Sequence, residues 1–344
     1  MARSRPSIDD LETGLRAGDR GTLARAITLA ESRRLDDRER AQELIARLLP
    51  GPGEGPSSAR RIGLTGVPGA GKSTTIEALG VWLVEQGHKV AVLAVDPSST
   101  RQGGSILGDK TRMQRLSVLD EAFIRPSPTS GVLGGVARRT REAMVLCEAA
   151  GFDVVIVESV GVGQSEAELA ELVDCVCLLL VPGAGDELQG IKRGIVEVSD
   201  LIVVNKADGD RLRLARHAAR DYRHALRLLP DATPGWKTQV LIASATERTG
   251  IAETWEAIQQ HREHMEESGE LVLRRDRQQQ RWLHAQVEEA VLAAFHARPG
   301  VADAVAEAER TVRDATTTVP QAADRVLRAG FGPDPDALPP DARS

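Results

Sequence analysis

One stretch restricts the fold of this chain more than any other: Gly-Leu-Thr-Gly-Val-Pro-Gly-Ala-Gly-Lys-Ser-Thr-Thr at positions 63–75. Within it Gly66 and Gly71-Lys72-Ser73 satisfy the spacing G-x-x-x-x-G-K-[ST], a loop that wraps backbone N–H groups around a polyphosphate. Gly66, Gly69 and Gly71 supply turns and a close approach that a Cβ would obstruct. A helix beginning near Lys72 aims its positive dipole end, roughly half a charge, at the same anion. Lys72 adds a point charge for the β- and γ-phosphates, and the Ser73 hydroxyl suits Mg²⁺. Gly66, Val67, Pro68, Gly69, Ala70, Gly71, Lys72, Ser73 and Thr74 therefore form the expected phosphate-binding segment. Such a loop needs a strand before it and a helix after it, and the apolar run at 62–64 and the helical pattern at 73–86 provide both.

From Arg60 the pattern strand, loop, helix repeats. Apolar runs at 62–64, 90–95, 154–157, 176–181, 201–204 and 240–243, with a weaker one at 122–124, are continuous rather than alternating. That pattern predicts strands covered on both faces, as in a parallel sheet. Helical patterns fall between them, notably at 134–150 and 188–198. Right-handed crossovers then give an α/β fold, a P-loop NTPase with an open, mostly parallel sheet and ligand loops at the carboxyl ends of its strands.

The flanks read as helical. Ile8, Leu11 and Leu15, then Leu23, Ile27 and Ala30, then Leu44, Ile45 and Leu48 recur at helical spacing, before a Gly/Pro-rich linker at 51–58. Helices are expected again at 252–268, 274–296 and 301–315. The expected organisation is a helical N-terminal arm and linker (1–58) packed on its own domain and a P-loop nucleotide-binding domain (59–250). A helical C-terminal extension (251–330) and a tail rich in Pro and Asp (331–344) complete it.

Hydrophobic residues make up 41% and charged residues 27%, as in soluble globular proteins. A net charge of −6 argues against nucleic acid or an anionic membrane as a general partner. No 18-residue apolar run occurs and positions 1–20 hold no signal-peptide core, so no membrane association is expected. Of the cysteines, Cys175 and Cys177 lie in an apolar strand and read, with Cys147, as buried small residues rather than a metal or redox pair. A cytoplasmic location is the simplest reading. His261 and His264 read as two exposed imidazoles on one helix face.

A phosphate loop alone does not choose a base. Asn205-Lys206-Ala207-Asp208 does, because it directly follows the apolar strand at 201–204 and N-K-x-D is the guanine-reading pattern of P-loop GTPases. Asp208 can accept hydrogen bonds from guanine N1–H and its exocyclic amine, which adenine cannot reproduce. Asn205 would brace the loop and Lys206 would lie along the base. Ser244-Ala245, after the last strand, fits a companion loop that offers backbone N–H groups to guanine O6. On the metal side, Asp96 and Glu158 each end a strand, where a carboxylate can reach Mg²⁺ directly or through water. The Gly161 N–H is placed to sense a γ-phosphate, making its loop a nucleotide switch. Asp109 sits in a second Gly-rich candidate switch.

Taken in order, these motifs resemble the methylmalonyl-CoA mutase-associated GTPases, the MeaB/ArgK type within the metallochaperone-like P-loop GTPases. The stretches that carry the resemblance are 66–74, Val-Asp-Pro-Ser-Ser at 95–99, Gly-Gly-Ser-Ile-Leu-Gly-Asp-Lys-Thr-Arg-Met at 103–113 and Glu-Ser-Val-Gly-Val-Gly-Gln-Ser-Glu at 158–166. Pro-Gly-Ala-Gly-Asp-Glu-Leu-Gln-Gly-Ile-Lys at 182–192 and the residues at 205–208 complete them. Ser159 stands where the family usually has Thr, and Thr246 where it usually has Leu. The resemblance implies a homodimeric, Mg²⁺-dependent GTPase, binding GTP and GDP, that serves an adenosylcobalamin-dependent acyl-CoA mutase. Such proteins gate cofactor loading and guard the mutase, with hydrolysis as the timer. Carried over by motif, Lys72 contacts phosphate, Ser73, Asp96, Asp109 and Glu158 form the Mg²⁺ shell, and Asn205, Lys206 and Asp208 hold the base. Asp186, Glu187, Gln189 and Lys192 lie in the segment that couples the mutase to hydrolysis.

In Ras-like switches a Gln directly follows the switch glycine, whereas Val162 follows Gly161 here and Gln164 comes later. A slow intrinsic GTPase completed by its partner is expected, with Lys72 and Lys192 as the candidate catalytic residues. Two other readings stay open. One is metal-centre insertion by a related metallochaperone, and the other is a nucleotide-dependent scaffold without turnover.

Overall fold

Every apolar run becomes a strand, and every strand pairing is parallel. The computed structural model describes residues 5–32, 34–49, 57–96, 113–128, 133–159, 165–183 and 193–332. Helices α1 (Ile8–Arg16), α2 (Arg20–Ala30) and α3 (Leu35–Leu48) come first. Then follow β1 (Arg60–Gly66), α4 (Lys72–Glu85), β2 (Val90–Asp96), α5 (Gln114–Ser117), β3 (Ala122–Pro128) and α6 (Leu133–Ala149). After these come β4 (Val154–Glu158), α7 (Ser165–Ala170), β5 (Cys175–Leu180), α8 (Arg193–Glu197) and β6 (Leu201–Val204). The chain continues with α9 (Arg211–Leu226), β7 (Gln239–Ile242), α10 (Ile251–Glu267) and α11 (Glu270–His296), and closes with α12 (Val301–Arg313) and α13 (Val319–Phe331).

The sheet order is β3-β2-β4-β1-β5-β6-β7. Because β1 lies between β4 and β5, the chain leaving it must cross β4 to reach β2, which opens a crevice at the carboxyl ends of these strands. Successive residues of each central strand feed opposite cores. Val90, Val92, Val154, Ile156, Cys175, Cys177 and Leu179 face a core shared with α4 and α10. Ala91, Leu93, Val155, Val157 and Val176 face α6 and the N-terminal helices. Two apolar cores explain why the runs do not alternate.

The N-terminal helices pack through Leu11, Leu15, Leu23, Ile27 and Leu44 into the core that holds Met144 and Cys147 of α6. Helix α10 places Ile251, Trp255, Ala257 and Ile258 in the opposite core. Accordingly the chain divides into compact units at 1–278 and 279–344, so 251–278 belongs with the sheet rather than with the C-terminal helices, unlike the boundary expected at 250. In the second unit α12 and α13 close on the end of α11, with Phe295 and Phe331 rings 5.1 Å apart. Helix α13 begins with a capping box of Thr318 and Gln321 and a proline in its first turn, so order extends through Phe331. Helix α9 had no clear signal, because its buried face is only Ala215, Ala218, Ala219 and Tyr222.

All three cysteines are buried and unpaired. Burial pushes the Cys177 thiol up to about 12 and raises Cys147 and Cys175 as well, which makes them inert.

Under the amino ends of β5 and β6 lie two buried carboxylates. Asp174 receives a two-point contact from Arg275, at 2.9 and 2.7 Å, and a bond from Arg262 at 3.3 Å. Asp200 meets His261 Nε2 at 3.3 Å and Arg274 at 3.4 Å, and it accepts from Thr233 and from the Val176 N–H at 2.9 Å. His261 is therefore buried, correcting the expectation of an exposed ring; His264 is half-buried, its Nε2 2.9 Å from Pro234 O. Burial raises the Asp200 pKa, but His261, Arg274 and Thr233 outweigh it and hold the carboxyl at about 2. Because this lies below the unfolded value of about 3.9, the stabilisation is complete above about pH 5 and is lost as pH falls toward 2. Denaturant titrations should show about 2–3 kcal/mol lost across that window through Asp200. An Asp200→Asn variant should show a shallower pH slope there; an unchanged slope would contradict the assignment.

Candidate active site

The phosphate loop leaves β1 at Gly66 and enters α4 at Lys72. Two of its glycines are dictated by geometry. Gly66 has φ +146°, and a Cβ there would lie 2.4 Å from Leu179 O of the neighbouring strand. Gly71 caps α4 in the left-handed region at φ +89°, where a Cβ would press within 2.7 Å of Asn205 Nδ2. Lys72 Nζ donates to Gly66 O at 2.8 Å and reaches Val67 O at 3.4 Å, so the ammonium lies over the loop that would cradle phosphate.

The metal candidates follow from strand order. Pairing of β1 with β4 sets Leu64 opposite Glu158, which brings Glu158 beside the first turn of α4. Ser73 Oγ donates to Glu158 Oε1 at 3.1 Å. A hydroxyl and a carboxylate adjoining the lysine form the hard-oxygen donor pair that Mg²⁺ prefers, so the residues present fit that ion. Just beyond, Ser159 Oγ donates to Thr65 Oγ1 at 2.8 Å, joining the ends of β4 and β1. Asp96 ends β2, which also pairs with β4, so its backbone lies at the same edge of the sheet as Glu158. The Asp96 side chain lies outside the described residues, as do Asp109, Gly161, Asp186, Glu187, Gln189 and Lys192. Among the described residues no group of three or more His, Cys, Asp or Glu converges as a metal cluster.

Asn205 fastens the base side to the phosphate side. Fully buried, it donates from Nδ2 to Ala70 O at 2.9 Å and Thr75 Oγ1 at 3.2 Å, and its Oδ1 accepts from the Ala245 N–H at 3.2 Å. Thr75 was not singled out from the sequence, since nothing local marks a helix threonine as the partner of a distant asparagine. Lys206 adopts φ +58°, a strained value for a side chain of this size. Its Cε lies 3.8 Å from the position of a Gly71 Cβ, so its stem runs along the phosphate loop. Asp208 is steered by Ser244 Oγ, at 3.4 Å from its Oδ1.

One expectation for the base loop shifts. The Ser244 N–H donates to Thr249 O at 3.0 Å and the Ala245 N–H to Asn205 Oδ1, so both amides are engaged within the protein. Thr246, at the exposed tip of the same loop, presents the next backbone N–H.

Comparison with known proteins gives the family. Residues 23–300 match the family described as Methylmalonyl Co-A mutase-associated GTPase MeaB. A putative GTPase of Caulobacter vibrioides is 57% identical over 94% of this chain and 98% of its own length. GTPase ArgK of Escherichia coli is 52% identical over 81% of this chain and 83% of its own. The mouse protein named methylmalonic aciduria type A homolog, mitochondrial, is 48% identical over 94% and 79% respectively. The crystal structure of a LAO/AO transport system kinase superposes with a TM-score of 0.73 at 39% identity, over 93% of this chain and 96% of that one. With a family match across most of its length and close relatives named as GTPases, the chain belongs to the MeaB family of P-loop GTPases and is a GTP hydrolase.

Proposed function

We propose that this GTPase requires Mg²⁺ and acts as a chaperone for an adenosylcobalamin-dependent acyl-CoA mutase of the methylmalonyl-CoA mutase type, gating cofactor loading and protecting the mutase. The reading is supported by the family's own description as mutase-associated. The observation that carries the chemistry is the Ser73–Glu158 contact beside Lys72, tied to the base loop through Asn205. Phosphoryl transfer to water depends on positioning and charge neutralisation more than on covalent chemistry. Lys72 neutralises the β- and γ-phosphates, the phosphate-loop amides fix them, and Asp208 with Asn205 and Lys206 holds the guanine. Ser73 and Glu158, with Asp96 and Asp109, would hold Mg²⁺, whose charge supplies further neutralisation when it is bound.

Asp186, Glu187, Gln189 and Lys192 are the proposed coupling segment, and Lys192 is the proposed completing cation. A homodimer is supported by α11, where Leu283, Val287 and Val291 recur at i, i+4 and i+8 and are 63%, 52% and 54% exposed. No described helix is long and apolar enough to cross a membrane, and we read the compartment as cytoplasmic. Single-turnover GTP hydrolysis with and without the mutase tests the proposal. Acceleration on the order of 10³-fold, or roughly 4 kcal/mol, is expected, and Lys192→Ala should lose most of it. Equal rates with and without the mutase would contradict it.

A further inference from the structure

Helix α9 carries a charge distribution that the nucleotide site does not use. Between Arg213 and Arg227, which caps its end, lie five arginines and two histidines, no lysine, and Asp221 as the one acid. At 100° per residue, Arg213, Arg216, His217, Arg220, Arg223, His224 and Arg227 fall within an arc of about 120°, and they extend over about 21 Å. All seven are exposed. The opposite face, Ala215, Ala218, Ala219 and Tyr222, is buried against the sheet. Among the described residues the charges on this face are scarcely compensated. Asp221 lies 3.5 Å from His217 and 4.0 Å from Arg220, and Arg223 donates to the Val240 carbonyl. No ion pair of Arg213, Arg216 or Arg227 is formed among these residues. So dense a cationic stripe on a chain of net charge −6 is held against self-repulsion with little counter-charge among the described residues.

Its position is equally specific. The Arg211 N–H donates to Asp208 O at 3.0 Å, so the helix springs directly from the base-reading loop. One turn further, Leu214 Cδ1 lies 3.7 Å from the position of a Gly183 Cβ, at the start of the 182–192 segment. Whatever docks on α9 therefore touches an element joined to both.

We propose that this arginine face docks a carboxylate-rich surface of the mutase client. This rests on the mutase reading above and adds the surface and its chemistry. Arg guanidinium pairs with carboxylates in two-point geometry and is enriched at protein interfaces, where lysine is depleted. Exposed Leu214 (52%) and Leu228 (87%) flank the arc, as suits a protein surface with an apolar margin better than a phosphate backbone. Complementary charge of this kind raises the association rate and makes it salt-dependent.

The test is the affinity of the full-length chain for the purified mutase at about 50 and about 300 mM salt. Arg213→Glu/Arg216→Glu/Arg220→Glu should weaken binding by about 10- to 100-fold and flatten the salt dependence. Arg213→Lys/Arg216→Lys/Arg220→Lys should retain most of it. A matched reversal on the N-terminal helices, Arg16→Glu/Arg25→Glu/Arg34→Glu, controls for net charge and should bind nearly as wild type. Mutase-free GTP hydrolysis and the melting temperature should be unchanged in the α9 variants, which shows that they fold. Wild-type affinity in the α9 reversal, or an equal loss in the matched reversal, overturns the proposal. So does binding of a short DNA duplex or of anionic phospholipid vesicles that the α9 reversal abolishes while mutase binding persists. Failure of the wild-type chain to bind the mutase at all overturns the client reading itself, an outcome distinct from wild-type binding that ignores α9.

Discussion

Lys72→Ala should reduce single-turnover GTP hydrolysis by about 10³-fold or more while leaving the melting temperature nearly unchanged. The ammonium adjoins the carbonyls of Gly66 and Val67, at the mouth of the loop rather than in either core. Removing it therefore sacrifices charge aimed at the phosphates without opening a cavity. Loss of one preorganised donor to a developing anion costs about 10²–10³ in rate, and a full cation in the same place acts more strongly. Lys72→Arg should not rescue, since the planar guanidinium cannot occupy the place of a point charge between two closely spaced carbonyls. A rate within tenfold of wild type for Lys72→Ala would remove this residue from the catalytic account.

The second large effect concerns stability. Arg275 joins Asp174 to the backbone carbonyls of Ser57 and Ala59, so one guanidinium ties α11 to the start of β5 and to the segment entering β1. The carboxylate it serves is buried, and removing one partner of such a pair leaves a charge without adequate compensation. Arg275→Ala should destabilise the protein by about 3–5 kcal/mol, read as a fall in melting temperature of roughly 5–15 °C. Asp174 retains Arg262 and the Arg61 N–H, so the lower part of that range is expected. This network lies at the amino ends of the strands and the nucleotide loops at their carboxyl ends. GTP affinity below the melting transition should therefore be unaffected in Arg275→Ala, and a change of a few tenths of a kcal/mol or less in stability would contradict the role assigned to Arg275.

The sheet was legible because residues such as Val154-Val-Ile-Val157 must be covered on both faces, and only a parallel sheet between helical layers does that. The phosphate loop and Asn205 were legible because their spacing relative to a strand end fixes which backbone groups they meet. What escaped was set by partners remote in sequence. His261 reads as a surface residue until Asp200, Thr233 and Trp236 are seen to enclose it. Thr75 becomes part of the site only when Asn205 arrives from another strand. Helix α9 lacked the apolar stripe that marks most buried helices, because alanines and one tyrosine suffice to seat it. The partners of the base-loop amides were hidden for a related reason: the Ser244–Thr249 bridge and the bond to Asn205 engage the two N–H groups that the local pattern nominated.

The central claim is that residues 205–208 make this phosphate loop a guanine site, and nucleotide affinity tests it most directly. Asp208 would accept from guanine N1–H and the 2-amino group, whereas adenine offers neither, so GTP should bind at least about 10²-fold tighter than ATP. In Asp208→Asn the amide would still accept from N1–H but would donate toward position 2, where xanthine carries a carbonyl. Calorimetric titration of both proteins with GTP, ATP and xanthosine triphosphate should show GTP preferred by the wild type and xanthosine triphosphate by the variant. Equal affinity of the wild type for GTP and ATP, or a variant that still prefers GTP, would contradict it.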